Sequence, residues 1–189
     1  MVLLFVFGFG VFYWYLTNIG FDLSNYQIIK PEEQKPAVEY PNKVKLTSSV
    51  FKVDEKIPEK YTCVGEDINP PLSITGTPAE AKSLVLILDD PDAPFKTWTH
   101  WVIYNINPAT TEIEEDSVPK GAYLGENDFG KGTYVGPCPP AGRHRYNFYL
   151  YALDRVLELD EGANREELEE AMEGHIIDVA VPLIGYFEK

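Results

Sequence analysis

Four side chains able to move protons or donate hydrogen bonds stand beside two stretches rich in proline and glycine, and together they could hold a small anion. Asp90, His100 and His144 can exchange protons, and Tyr146 adds a phenolic hydroxyl. The run Gly136-Pro137-Cys138-Pro139-Pro140-Ala141-Gly142 leads almost directly into His144, with Tyr146 two residues further on. Its prolines fix φ, and its glycines permit unusual backbone angles or a close approach of a ligand to the main chain, so the loop holds one shape. Residues two apart in an extended run share a face, which lets His144 and Tyr146 point into one pocket. Upstream, Leu84 to Leu88 is a continuous apolar run ending in Asp89-Asp90-Pro91-Asp92-Ala93-Pro94, with Trp98, His100 and Trp101 soon after. Asp90 precedes proline and is therefore biased toward extended geometry at the end of a buried strand. Its carboxylate can orient an imidazole, while the imidazoles, the Tyr146 hydroxyl and main-chain N–H groups near Gly136 can donate to phosphate or carboxylate oxygens. Asp92 reads as a turn-forming acid.

Other chemistries find less support. No GxSxG nucleophile elbow, HExxH metal helix or GxxxxGK[ST] phosphate loop occurs. Asp90, His100 and His144 could act as hydrolase or zinc groups, but their spacing is long for a metal site, so neither metal, cofactor nor catalysis is expected. A hydrolase using those three residues stands as an alternative. The net charge of −14 lacks the basic face that nucleic acids require, although Arg143, His144 and Arg145 form a local basic patch. Cys63 and Cys138 make no CxxC pair. Three readings remain for them: small buried hydrophobes, a disulfide if the fold brings their Cα atoms within about 7 Å, or a reactive thiol.

These groups need a scaffold, and the 189 residues, 44% of them hydrophobic, suffice for one domain with a real core. Val44 to Lys52, Tyr61 to Val64, Leu84 to Leu88, His100 to Ile106 and Tyr146 to Leu153 read as strands. Turn signals at Asn69-Pro70-Pro71, Gly76-Thr77-Pro78 and Asn107-Pro108 separate them. One helix is marked by Asn164 as its cap, Glu167 three residues on, and Leu168, Ala171, Met172 and a structural His175 along one face. Gly174 is its stop, and Ile176 to Ile184 follows as an extended tail. The fold class expected is mainly β: a Greek-key-like, two-sheet domain over residues 44–189. Met1 to Phe21 has no charged side chain and is long enough to cross a bilayer, so residues 1–23 read as a transmembrane anchor or uncleaved signal. Residues 24–43, with Pro31, Pro36 and Pro41, read as a linker. That arrangement makes the protein membrane-anchored with its soluble domain outside the cell, the cytoplasmic side being the alternative.

The segments DDPDAP, WTHW and GPCPPAGRHRY resemble the signature of the phosphatidylethanolamine-binding protein family, and the GPCPP form is similar to its bacterial and archaeal Raf-kinase-inhibitor-like branch. The resemblance runs from about Lys45 to Lys189 and includes Tyr61-Thr62-Cys63, Asn69-Pro70-Pro71-Leu72 and Gly185-Tyr186. It implies a pocket for phosphate, a phosphorylated headgroup or acetate, lined by Asp90, Ala93, Pro94, His100, Gly136, Pro139, Pro140, His144 and Tyr146, with Tyr186 as a gating tyrosine. It implies no metal. It further implies a regulatory module that inhibits a partner kinase or, in the runner-up reading, acts as an exported inhibitor of a serine protease. A second copy of the chain is also an expected partner.

Overall fold

A computed structural model of the chain describes residues 39–189, which form a compact unit. In chain order the strands are β1 (Lys45–Ser48), β2 (Glu55–Lys56), β3 (Leu72–Thr75), β4 (Ser83–Asp90), β5 (Trp98–Ile106), β6 (Glu112–Ile113), β7 (Tyr123–Leu124), β8 (Arg143–Leu153), β9 (Ile176–Val179) and β10 (Leu183–Glu188). The helix α1 (Arg165–Met172) lies between β8 and β9. A three-stranded sheet has the order β1-β3-β6, and a seven-stranded sheet runs β2-β10-β8-β4-β5-β7 with β9 also paired to β8. The fold is thus mainly β, with two sheets and one α-helix among the described residues.

All residues of β4 are buried, which is why its sequence is an unbroken apolar run rather than an alternating one. Leu84, Leu86 and Leu88 pack on one side with Leu46, Leu72, Ile74 and Ile113 of the small sheet. Val85 and Ile87 pack on the other side with Leu168 and Met172 of α1. With both faces covered, β4 can present polar chemistry only at its ends.

The helix begins as its sequence predicts. The Asn164 side chain accepts the Glu167 N–H at 3.1 Å, and the Glu167 carboxylate accepts the Asn164 N–H at 2.9 Å, a reciprocal capping box. Its end differs from expectation. The last helical residue is Met172, and Gly174 takes φ +78, so His175 lies beyond the helix and meets Asp154 at 2.9 Å. Tyr61 to Val64 is not a strand either. Pro58 and Glu59 carbonyls accept the N–H groups of Tyr61 and Thr62, closing a short 3-10 turn over Glu59–Tyr61 and leaving no ladder to join.

Cys63 and Cys138 are joined in a disulfide, their Cα atoms 5.5 Å apart. Cys138 is exposed, so neither its reading as a buried hydrophobe nor that as a reactive thiol holds. The expectation of a membrane-anchored protein is also corrected. Among the described residues no helix is long and apolar enough to cross a membrane, and residues 1–23, on which the anchor was placed, lie outside them, as does most of the linker.

Because the disulfide spans a sequence separation of 75, its loss enlarges the entropy of the unfolded chain. The double variant Cys63→Ser/Cys138→Ser should lose about 3–5 kcal/mol of stability, read from guanidinium unfolding against the oxidised wild type. A loss below about 1 kcal/mol would show that noncovalent contacts alone hold the loop.

Candidate functional site

The polar end of β4 is joined to β8 by the ladder as far as Asp89 and Asn147, and beyond it by one buried side-chain bond. Asp90 is 3% exposed, and its Oδ2 accepts from Nδ1 of His144 at 2.8 Å. Its Oδ1 accepts the Asp92 N–H at 2.9 Å, so the turn-forming role expected of Asp92 belongs to Asp90. Asp92 does something else. Its carboxylate takes the Arg145 guanidinium on both oxygens, at 2.9 and 2.7 Å, and the Arg145 backbone N–H at 2.9 Å. These charge-assisted bonds hold the Asp92 carboxyl down at about 2, and they lock the β4–β5 loop onto β8.

His100 reaches the same place by an irregularity of pairing. Leu88 pairs with Trp101 whereas the next residue, Asp89, pairs with Thr99, so His100 is the extra residue of a β-bulge. Strict alternation would set His100 and Trp101 on opposite faces. The bulge instead turns the imidazole edge-on to the Tyr146 ring, with centroids 5.3 Å apart, and places Nδ1 2.7 Å from the Val135 carbonyl. A carbonyl only accepts, so His100 carries its proton on Nδ1, and Nε2 is left for a ligand. His144 is in the same position, its Nδ1 being engaged by the Asp90 carboxylate. Burial lowers the His100 pKa, which keeps this ring neutral at pH 7.

Tyr146 is fully buried, and its hydroxyl has no hydrogen-bond partner among the described residues; Trp98 Nε1 is in the same state. Burial, then the charge of Asp90, raise the Tyr146 pKa, so the group is a phenol that can donate. Buried donors without partners are costly, and a pocket holding them is completed by an acceptor.

The Pro/Gly loop supplies the wall rather than the donors. The Gly136 N–H, expected to face an anion, is taken by Asp67 Oδ1 at 2.7 Å. A Cβ at this position would fall 2.5 Å from the Tyr61 carbonyl oxygen, so only glycine fits. Tyr134 donates to that same carbonyl at 2.8 Å, and Cys63 N–H to the Pro137 carbonyl at 3.2 Å. Pro139 is buried, Pro140 and Pro94 are exposed, and Ala93 is half-buried. Tyr186 stands apart from the inner group. It pairs with Arg145 and lies under the Arg143 guanidinium at 3.5 Å, on the sheet face opposite His144 and Tyr146. A cavity of about 560 Å³ nonetheless has both Tyr186 and His144 in its lining, together with Asp92, Gly142, Arg143 and Arg145.

Two supporting residues carry no local sequence signal. Asp67 acts on Gly136 across 69 positions. Asn127 donates to the carbonyls of His100 and Thr133 and accepts the N–H groups of Phe129 and Lys131, binding the bulge to the loop that follows β7. Among the described residues no group of His, Cys, Asp or Glu is placed to hold a metal ion.

Comparison with known proteins places this geometry. Residues 47–187 match the family described as phosphatidylethanolamine-binding protein. A UPF0098 protein of Methanothermobacter thermautotrophicus is 54% identical over 149 residues, covering 76% of this chain and 98% of the relative. One from Pyrococcus abyssi is 53% identical over 152 residues, covering 75% and 84%. The crystal structure of a phosphatidylethanolamine-binding protein homolog from Chlamydia trachomatis superposes with a TM-score of 0.75 at 47% identity, covering 78% of this chain and 99% of that one. Escherichia coli YbcL, a member of the mammalian family of that name, gives 0.73 at 28% identity with the same coverage.

His100 has a consequence for acid stability. Its folded-state pKa lies below the unfolded value of about 6.5, so the stability it contributes is complete above that pH and is lost as pH falls toward the folded value. His100→Gln keeps a donor but cannot be protonated. Between pH 7 and pH 5 its unfolding free energy should fall less steeply than that of the wild type; parallel curves would mean that His100 is not buried neutral.

Proposed function

The chain belongs to the phosphatidylethanolamine-binding protein family, and on that footing we propose that Asp90, His100, His144 and Tyr146 form a receptor for a small anion, a phosphate or phosphorylated headgroup before a carboxylate. The observation that carries this reading is the Tyr146 hydroxyl, buried and unpartnered beside two imidazoles whose Nδ1 atoms are already engaged. A phosphate oxygen would complete the phenol. His144 would meet a phosphate oxygen through Nε2 while Asp90 holds its other nitrogen, and neutral His100 would accept from a protonated phosphate oxygen.

The protein acts in this reading as a binder rather than a catalyst. Both cysteines are consumed in the disulfide, and the Asp90 carboxylate is occupied by His144 and the Asp92 N–H, which favours orientation over proton transfer. Inhibition of a partner kinase or serine protease by contact is the wider proposal. Its support is the β4–β5 loop, where Phe95 is fully exposed at φ +76 between the links of Asp92 to Arg145 and of Lys96 to Asp128 at 2.6 Å. A fixed, exposed aromatic is a suitable anchor for a partner.

Calorimetric titration with phosphate and O-phosphoethanolamine tests the pocket. Wild type should bind both. His144→Ala should lose about 1.5–3 kcal/mol of binding energy. Tyr146→Phe should lose about 1 kcal/mol. Equal binding by wild type and His144→Ala would put the ligand elsewhere.

A further inference from the structure

The strand end that carries the site holds two adjacent acids, Asp89 and Asp90, and only one of them faces the pocket. Asp90 points to His144, whereas Asp89, 2% exposed, points to the opposite face and forms an ion pair with Arg165, the first residue of α1. The same guanidinium reaches Thr99 Oγ1 at 3.4 Å and Glu169 at 2.7 Å. Thr99 is the cross-strand partner of Asp89 and the neighbour of His100. Arg165 therefore grips, from behind, the residue next to each of two site residues, at the point where the β4–β5 register shifts.

Alternation makes this point delicate. A one-residue slip at a strand end exchanges the faces of its side chains, so it would bring Asp89 into the pocket and send Asp90 to the back. The β4–β5 ladder discriminates little between the two arrangements beside its bulge, the regular β4–β8 ladder ends at Asp89, and both candidates are aspartates. The side chains facing the two acids therefore add to the choice. Asp89 is also poorly matched to its surroundings in other respects: its Oδ1 is buried without a partner, and burial holds its carboxyl above the usual range even opposite Arg165. A buried pair left so incompletely satisfied contributes little net stability and is better understood as a device for selecting one arrangement.

We propose that Arg165 is a positioning residue of the anion site, and that by claiming Asp89 on the back of the sheet it sets the register that assigns Asp90 to His144 and turns His100 toward Tyr146. This deepens the small-anion reading and rests on it. Thr99 and Glu169 orient the guanidinium; neither touches the pocket group.

The test compares Arg165→Gln with Asp89→Asn/Arg165→Gln, reading phosphate affinity by calorimetry and the His100 imidazole by ¹⁵N NMR on ligand-free protein well below the melting range. Arg165→Gln leaves two competing acids, so phosphate affinity should fall about tenfold and His100 should show a second set of imidazole signals beside its Nδ1–H form. The double variant leaves one acid, so affinity should return to within about twofold of wild type with a single His100 form. Arg165→Gln that melts earlier yet keeps affinity and a single His100 form would mean a merely structural pair and would overturn the proposal. So would a folded double variant that stays weak. Should Arg165→Gln not fold, Asp89→Asn decides, because it must keep wild-type affinity and one His100 form; a tenfold loss there overturns the register assignment. If wild type binds no phosphate, the small-anion reading fails, and the His100 signals of the ligand-free variants still report on the register.

Discussion

Covering both faces of β4 is the constraint from which the rest of the molecule follows. A strand sandwiched between the small sheet and α1 must be apolar throughout its middle, so its polar residues are confined to its ends, and at one of them two carboxylates emerge side by side. Burial makes each of them expensive unless it is paired. The pairing partners come from different elements, His144 from β8 and Arg165 from α1, and each bond ties that element to the strand. The candidate site is thus a by-product of how a doubly buried strand must end.

Around that end the structure holds a set of hydrogen-bonding atoms in fixed states. Nδ1 of both histidines is engaged, the Gly136 N–H is engaged, and Asp92 is clamped to Arg145. What remains without a partner beside them is the Tyr146 phenol, with Trp98 Nε1 in the same state. A receptor built this way spends little reorganisation on its ligand, because the supporting bonds exist before the ligand arrives.

Much of this was legible in the sequence where the signal is local. The capping box of α1 lies within four residues, and the apolar run of β4 ending in Asp-Pro marks both the burial and the place where a carboxylate emerges. His144 and Tyr146 at i, i+2 could be set on one face from alternation alone. His100 could not, because its direction depends on a bulge in pairing with β4, and pairing register is a property of two strands. The same limit hid the commitment of the Gly136 N–H to Asp67 and the assignment of Asp92 to Arg145. It also left the cysteines open, since only the fold decides whether two Cα atoms approach. Tyr186 needed pairing as well: its ring lies on the face opposite His144, yet both line one cavity.

The disulfide divides the site in mechanical terms. The chain from Cys63 to Cys138 is a closed covalent ring containing β3 to β7, and with them Asp90 and His100, whereas His144 and Tyr146 belong to the open chain that leaves the ring. Tension applied at the two ends of the domain passes through the cystine and bypasses the ring. Within the pocket, load then falls on the β8 seam, where the imidazole–carboxylate bond, the Asp92–Arg145 clamp and the ladder beside them join the two halves. Traction would part the pocket along that seam while the ring half kept its shape.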